Sequence, residues 1–162
     1  MTPRQHPQHP QHLQGLQGLD RLQVERWGLR VAGTLVALIA AGHIFMPAFG
    51  YPDAVTSGMP ASVKEHFYYL GTYAICTFLF AFATLAFYHA RAAGTAAARV
   101  FAATMAAVWW SRVALELAYP VDVPIFFLAR PHPVILPVLL IIAFSFTASA
   151  AASKRQPDFP NS

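Results

Sequence analysis

Charge is what this chain has least of. Asp, Glu, Lys and Arg make up only 11% of its 162 residues, against about a quarter in ordinary soluble domains. So few charges cannot cover a water-facing surface of the usual kind. Cysteine is almost absent as well. Cys76 stands alone in the middle of an apolar run, which excludes a disulfide within the chain and leaves a small buried side chain as its expected role. The metal-binding patterns HExxH and Glu-x-x-His are missing, and no apolar segment carries two histidines. A cleavable signal peptide is not expected, because the first apolar run is longer than an h-region and a long polar stretch precedes it.

What is present is hydrophobic: 56% of the residues are apolar or aromatic. They gather into Leu29–Phe49, Phe67–His89, Ala97–Tyr119 and Pro133–Ala152. Each segment is long enough to cross about 30 Å of hydrocarbon at about 1.5 Å per residue. The expected fold is all-α, a four-helix transmembrane bundle of up-down-up-down order. Spans and short loops use nearly the whole chain, so no separate soluble domain is expected.

The net charge of +4 does not point to nucleic acid, because the basic residues sit at span ends as topology signals. Arg4, Arg21, Arg26, Arg30, Arg91, Arg99, Lys154 and Arg155 fall on one side; Lys64 and Arg130 fall on the other, with Arg112 inside a span. The positive-inside rule then places both termini in the cytoplasm. An integral protein of a bacterial inner membrane is expected.

Four regions follow along the chain. Residues 1–12 are a Gln/His/Pro tail that cannot bury enough apolar surface to order itself. His6, His9 and His12 would line one edge of a polyproline II helix, a weak metal trap at most, and a solvated tail is the expected state. Residues 13–28 carry Leu13, Leu16, Leu19 and Leu22 with Trp27 and interleaved charges, the pattern of an amphipathic interfacial helix on the cytoplasmic side. Gly15 and Gly18 weaken that helix. Residues 29–152 are the four spans, and 153–162 a cytoplasmic tail. Ser62 and Glu65 have capping-box spacing and would open span two. Pro47 either kinks span one beside His43 or ends it. The connection "VDVPIFFLARPHP" is bracketed by prolines and rich in aromatics, and is expected to be an interfacial or re-entrant segment.

The ionisable residues of the spans fall mostly at one end. Arg112 and Glu116 are four apart on span three and share a face with Trp109. An alternating bundle brings them to the same membrane face as His43, Glu65, His66 and His132. His43 and Arg112 then lie about 10 Å inside the boundary, counted at about 1.5 Å per residue. His89 lies at the opposite end. Intramembrane ionisable groups are expensive and are retained for pairing or for function.

Each has a structural explanation too: Arg112 can pair with Glu116 as a lock, and Glu65, His66 and His132 can be interface or turn residues. As a group they suit a polar pocket. Arg112 would fix an anion or a developing oxyanion. Glu116 and His43 would act as acid and base. His43, Arg112 and Glu116 are therefore the candidate catalytic residues. Glu65, His66, Tyr69, Tyr73, Trp109 and His132 are the candidate ligand-binding residues. The expected function is binding, with acid/base transformation, of a membrane lipid or lipophilic small molecule that has a polar head. The alternative is a non-catalytic accessory or assembly subunit bound to a membrane-protein partner. A metal or haem site ranks below both, because the ligand spacing is wrong and Arg112 would oppose a cation. The sequence names no cofactor.

Overall fold

The computed structural model describes residues 11–47 and 58–153. It is all-helical, with four helices long and apolar enough to cross a membrane. The His/Gln/Pro repeat of residues 1–10, the loop 48–57 and the tail 154–162 lie outside the described residues.

Helix α1 runs unbroken over Gln11–Phe45. The expected interfacial segment 13–28 is thus the first part of one long helix. Two glycines cost that helix about 1 kcal/mol each, but its next turns are packed. Glu25 and Leu29 are fully enclosed, and Ala32, Val36 and Ala40 continue the same buried stripe. At its far end Met46 and Pro47 form a wider π-type turn. Pro47 has no N–H to offer the carbonyl of His43, so the regular α-ladder stops there.

Helix α2 covers Ala61–Arg91. It starts earlier than the hydropathy suggests because Pro60 opens it: the N–H groups of Val63 and Lys64 both donate to the Pro60 carbonyl at 3.0 Å. The expected Ser62–Glu65 capping box is not made. Ser62 already lies within the first turn, and the N-cap is Pro60, without a side-chain bond. Residues His66–Gly71 form a π-helical stretch before regular α-helix resumes at Thr72.

Helix α3, Ala96–Ala118, is capped by the Thr95 hydroxyl, which accepts from the Ala98 N–H at 3.2 Å. Pro120 bars its continuation. Helix α4, His132–Ala152, starts on Pro131 with Pro133 in its first turn, where the missing N–H needs no helical partner.

Helix α1 packs on α2 and α4, and α3 packs on α4, with a lighter contact between α2 and α3. The α1–α2 seam is built from small residues. A Cβ on Gly33 would stand 3.1 Å from the Ala86 Cβ, and Ala32, Ala83 and Ala86 are buried beside it. Close approach of small residues is how helices gain contact when the solvent is itself apolar. Larger side chains fill the centre: Val36, Met105, Trp109, Val113, Ile142 and Phe146. Leu38, Phe78, Val100, Leu117 and Phe144 point outward and are more than half exposed. A helix apolar all round is one made to be surrounded by apolar material.

Two ends can be distinguished by contact. At one end Glu25 of α1 meets Gly94 of the α2–α3 turn, and Ser149 of α4 donates to the Glu25 carbonyl. Toward the other, Cys76 of α2 donates to the Ala40 carbonyl of α1 at 3.3 Å, and Glu116 of α3 meets the start of α4.

Candidate functional site

Spacings of three and four put Trp109, Arg112 and Glu116 on one face of α3. Glu116 is completely buried in the last turns of that helix. This is a costly place for a carboxylate, both for lack of water and because the helix C-terminus is the negative end of its dipole. Three donors offset that cost. Arg112 Nη2 donates to Oε2 at 2.9 Å. His132 Nδ1 lies 2.9 Å from Oε1, and the Val121 N–H donates to the same oxygen at 3.2 Å. A carboxylate only accepts, so Nδ1 of His132 carries the proton in that bond.

Both oxygens are therefore engaged. The two side chains that hold them are only partly enclosed: 40% of the Arg112 side chain and 31% of that of His132 are exposed. Fixing Nδ1 as donor leaves His132 Nε2 pointing away from Glu116, without a partner among the described residues. Arg112 likewise keeps N–H donors beyond the one given to Glu116. The result is a buried carboxylate that orients an imidazole on one side and a guanidinium on the other.

The same carboxylate shapes the connection Tyr119–Pro131. Val121, near its start, and His132, just after its end, are both tied to Glu116. Between them Ile125 and Leu128 exchange backbone hydrogen bonds at 3.1 and 3.0 Å, which makes a tight hairpin with Phe126 and Phe127 at the tip. Phe126 has φ of 52°, a left-handed conformation that costs a bulky residue about 1–3 kcal/mol and persists only where surroundings impose it. Phe127 is 93% exposed. Beside the tip is an apolar groove of about 610 Å³ lined by Gly42, Phe45, Phe126 and Phe127.

The other expected site residues are placed differently. His43 is half-buried and donates Nδ1 to the Ile39 carbonyl of its own helix at 2.8 Å; it makes none of the hydrogen bonds at Glu116. Trp109 is buried in the core with its Nε1 unpartnered among the described residues. Glu65 and His66 are exposed on α2. Tyr69 and Tyr73 are also exposed, their rings 6.1 Å apart, whereas Tyr68 is the inward residue of that stretch. No group of three His, Cys, Asp or Glu side chains among the described residues is placed to hold a metal.

Two participants escaped the sequence reading. The Val121 N–H is a backbone donor and leaves no mark in the residue pattern. Glu25 is buried, with Oε2 accepting from the Gly94 N–H at 3.0 Å and Oε1 unpartnered among the described residues. Its signal was available: Glu25, Leu29, Ala32, Val36 and Ala40 follow one helical stripe. Comparison of the chain with protein-family models, with curated proteins and with solved structures finds no match.

Proposed function

We propose that this protein crosses a bacterial inner membrane four times in up-down-up-down order, with both termini in the cytoplasm. It binds a lipophilic molecule with a polar head at the extracytoplasmic end, beside Glu116. One observation carries this reading. A fully buried carboxylate holds a half-exposed arginine and a half-exposed histidine at 2.9 Å each, which presents two polar groups at the edge of an otherwise apolar bundle. A lock alone would be served by Arg112 and the Val121 N–H; His132 adds a ring nitrogen that faces outward.

The geometry redistributes the expected roles. Glu116 has no free oxygen and serves to orient. His132 takes the place of His43 as the group suited to accept a proton. Arg112 supplies donors to the ligand's head. The membrane lipid or lipophilic small molecule itself would enter from the side, where the helices face hydrocarbon.

Lipid extraction and mass spectrometry of the purified protein test the proposal. Wild type should carry a stoichiometric amphiphile that His132→Asn and Arg112→Ala lose while elution volume and helicity stay unchanged. Identical lipid content in all three proteins would refute it. Orientation is tested separately in Cys76→Ser protein carrying Phe127→Cys or Ser153→Cys. In intact cells a membrane-impermeant maleimide should label only the Phe127→Cys protein.

A further inference from the structure

We infer that the ligand's head is an uncharged hydroxyl, carried on an apolar chain that lies in the groove between the end of α1 and the Phe126–Phe127 hairpin. This rests on the reading above and narrows it to a chemical class.

Charge decides against an anion. The positive charge of Arg112 is already taken by Glu116 at 2.9 Å. In a medium of low dielectric a second anion would have to compete with that fixed carboxylate. The other charged side chains described at this end are Lys64, Arg130, Glu65 and Asp122, two of each sign, so they supply no surplus. A carboxylate or phosphate head would bring an unbalanced charge to the site.

Hydrogen-bond inventory then selects among neutral heads. With Nδ1–H committed to Glu116, a neutral His132 offers Nε2 as an acceptor only. The head must therefore donate. Arg112 offers only donors, so the head must also accept. A hydroxyl does both through a single oxygen, whereas a ketone or an ether lacks the proton that Nε2 requires. A head that covers Nε2 without donating to it strips that acceptor of other partners, and loses more affinity than one lacking a methylene.

The groove accounts for the chain. Its volume of about 610 Å³ falls within the usual range for small-molecule pockets. The described residues of its lining, Gly42, Phe45, Phe126 and Phe127, carry no side-chain hydrogen-bonding group. Glu116 holds the chain on either side of the hairpin that forms one wall, at Val121 and at His132. The strained φ of Phe126 is the kind of feature that marks a clamped ligand site.

The test measures binding of chain-matched probes to the full-length protein in lipid nanodiscs: tetradecanol, its methyl ether, tetradecanoate and tetradecyl phosphate. Tetradecanol should bind at least about tenfold tighter than the ether, the effect of one acceptor covered by the ligand but left unpaired, and tighter than either anion. His132→Asn keeps a donor for Glu116 but has no Nε2, and should erase the alcohol-over-ether preference. Gly42→Leu should weaken every probe by filling the groove. Tighter, Arg112-dependent binding of tetradecanoate or tetradecyl phosphate would overturn the hydroxyl assignment and leave the amphiphile-binding reading standing. Binding of all four probes that is indifferent to His132→Asn, Arg112→Ala and Gly42→Leu would overturn both. The comparison among probes uses wild type alone, so it decides the head group even where a variant fails to fold.

Discussion

Removing the Glu116 carboxylate should loosen the connection between α3 and α4 and destabilise the bundle by an amount its contacts allow one to bound. In Glu116→Ala three hydrogen bonds disappear: those from Arg112, His132 and the Val121 N–H. Breaking a fully buried ion pair from one side costs about 3–5 kcal/mol. Arg112 is 40% exposed and turns to water or headgroups once released, so its share is discounted. His132, 31% exposed, recovers part of its share in the same way. The Val121 N–H is the donor with least freedom to find a substitute, at about 1–3 kcal/mol. The expected loss is about 3 kcal/mol. Glu116→Gln keeps the shape and one acceptor oxygen, but turns an NH₂ group toward a donor; it should lose about half as much.

Denaturant unfolding in mixed micelles measures both values. Limited chymotrypsin digestion gives a local reading, since Phe126 and Phe127 sit in the connection that Glu116 holds; cleavage there should accelerate in the order wild type, Gln, Ala. An alanine variant as stable as wild type, with unchanged cleavage, would show that the carboxylate does not hold this end of the bundle. Uniform destabilisation without faster cleavage at Phe126–Phe127 would show that it acts on the core and not on the connection.

Other substitutions probe the remaining contacts. A Cβ at Gly28 would collide with Ser149 Oγ and stand 2.7 Å from the Ser145 carbonyl, so Gly28→Ala should push α1 from α4 and destabilise by about 1–3 kcal/mol. Ser149→Ala removes the nearest obstacle and the one hydroxyl donor that the Glu25 and Ser145 carbonyls share. It should cost about 1 kcal/mol alone and restore part of the loss in the double variant, which a double-mutant cycle will show as a favourable coupling. Phe127→Ala changes a side chain that is 93% exposed; unfolding should move by less than about 0.5 kcal/mol, while binding of a long-chain alcohol weakens. Phe126→Gly relieves the left-handed strain at φ of 52° but deletes one wall of the groove. It should leave stability within about 1 kcal/mol of wild type and reduce probe binding more than Phe127→Ala does.

Much of the architecture was legible because its cause is one-dimensional. Four apolar segments show in hydropathy alone, and the described helices correspond to them. The Arg112–Glu116 pair followed from helical spacing, and its meeting with His132 from the order of the spans. Local rules did less well where a proline overrode them. Pro60 starts α2 ahead of the Ser62–Glu65 pattern because its carbonyl collects two N–H groups. Along the π-helical stretch His66–Gly71 and the turn after it, Tyr68 is buried and Tyr69 and Tyr73 are exposed. Nothing in side-chain type announces such a widened turn. His43 was expected in the cluster on depth alone, and depth says nothing about the direction of a ring that bonds to its own helix at Ile39.

The larger gap concerns backbone donors, and it follows one pattern at both ends of the molecule. Glu25 accepts an N–H from Gly94 in the α2–α3 turn; Glu116 accepts one from Val121 in the α3–α4 connection. Each buried carboxylate thus reaches out of its own helix to hold the adjacent connection. In each case the N–H donates to a buried carboxylate, which is among the strongest acceptors the chain can supply. Glycine at φ of 93° gives one turn its shape, and a strained phenylalanine gives the other its tip. The pairing also separates the two ends chemically. Among the described residues Glu25 has an oxygen without a hydrogen bond and no cation or imidazole hydrogen-bonded to it, Arg99 acting on it only through its charge. Glu116 has no free oxygen and holds both. A carboxylate that only secured a turn would need no histidine. That difference between two otherwise parallel devices makes the Glu116 end, and not the Glu25 end, the place to look for a ligand.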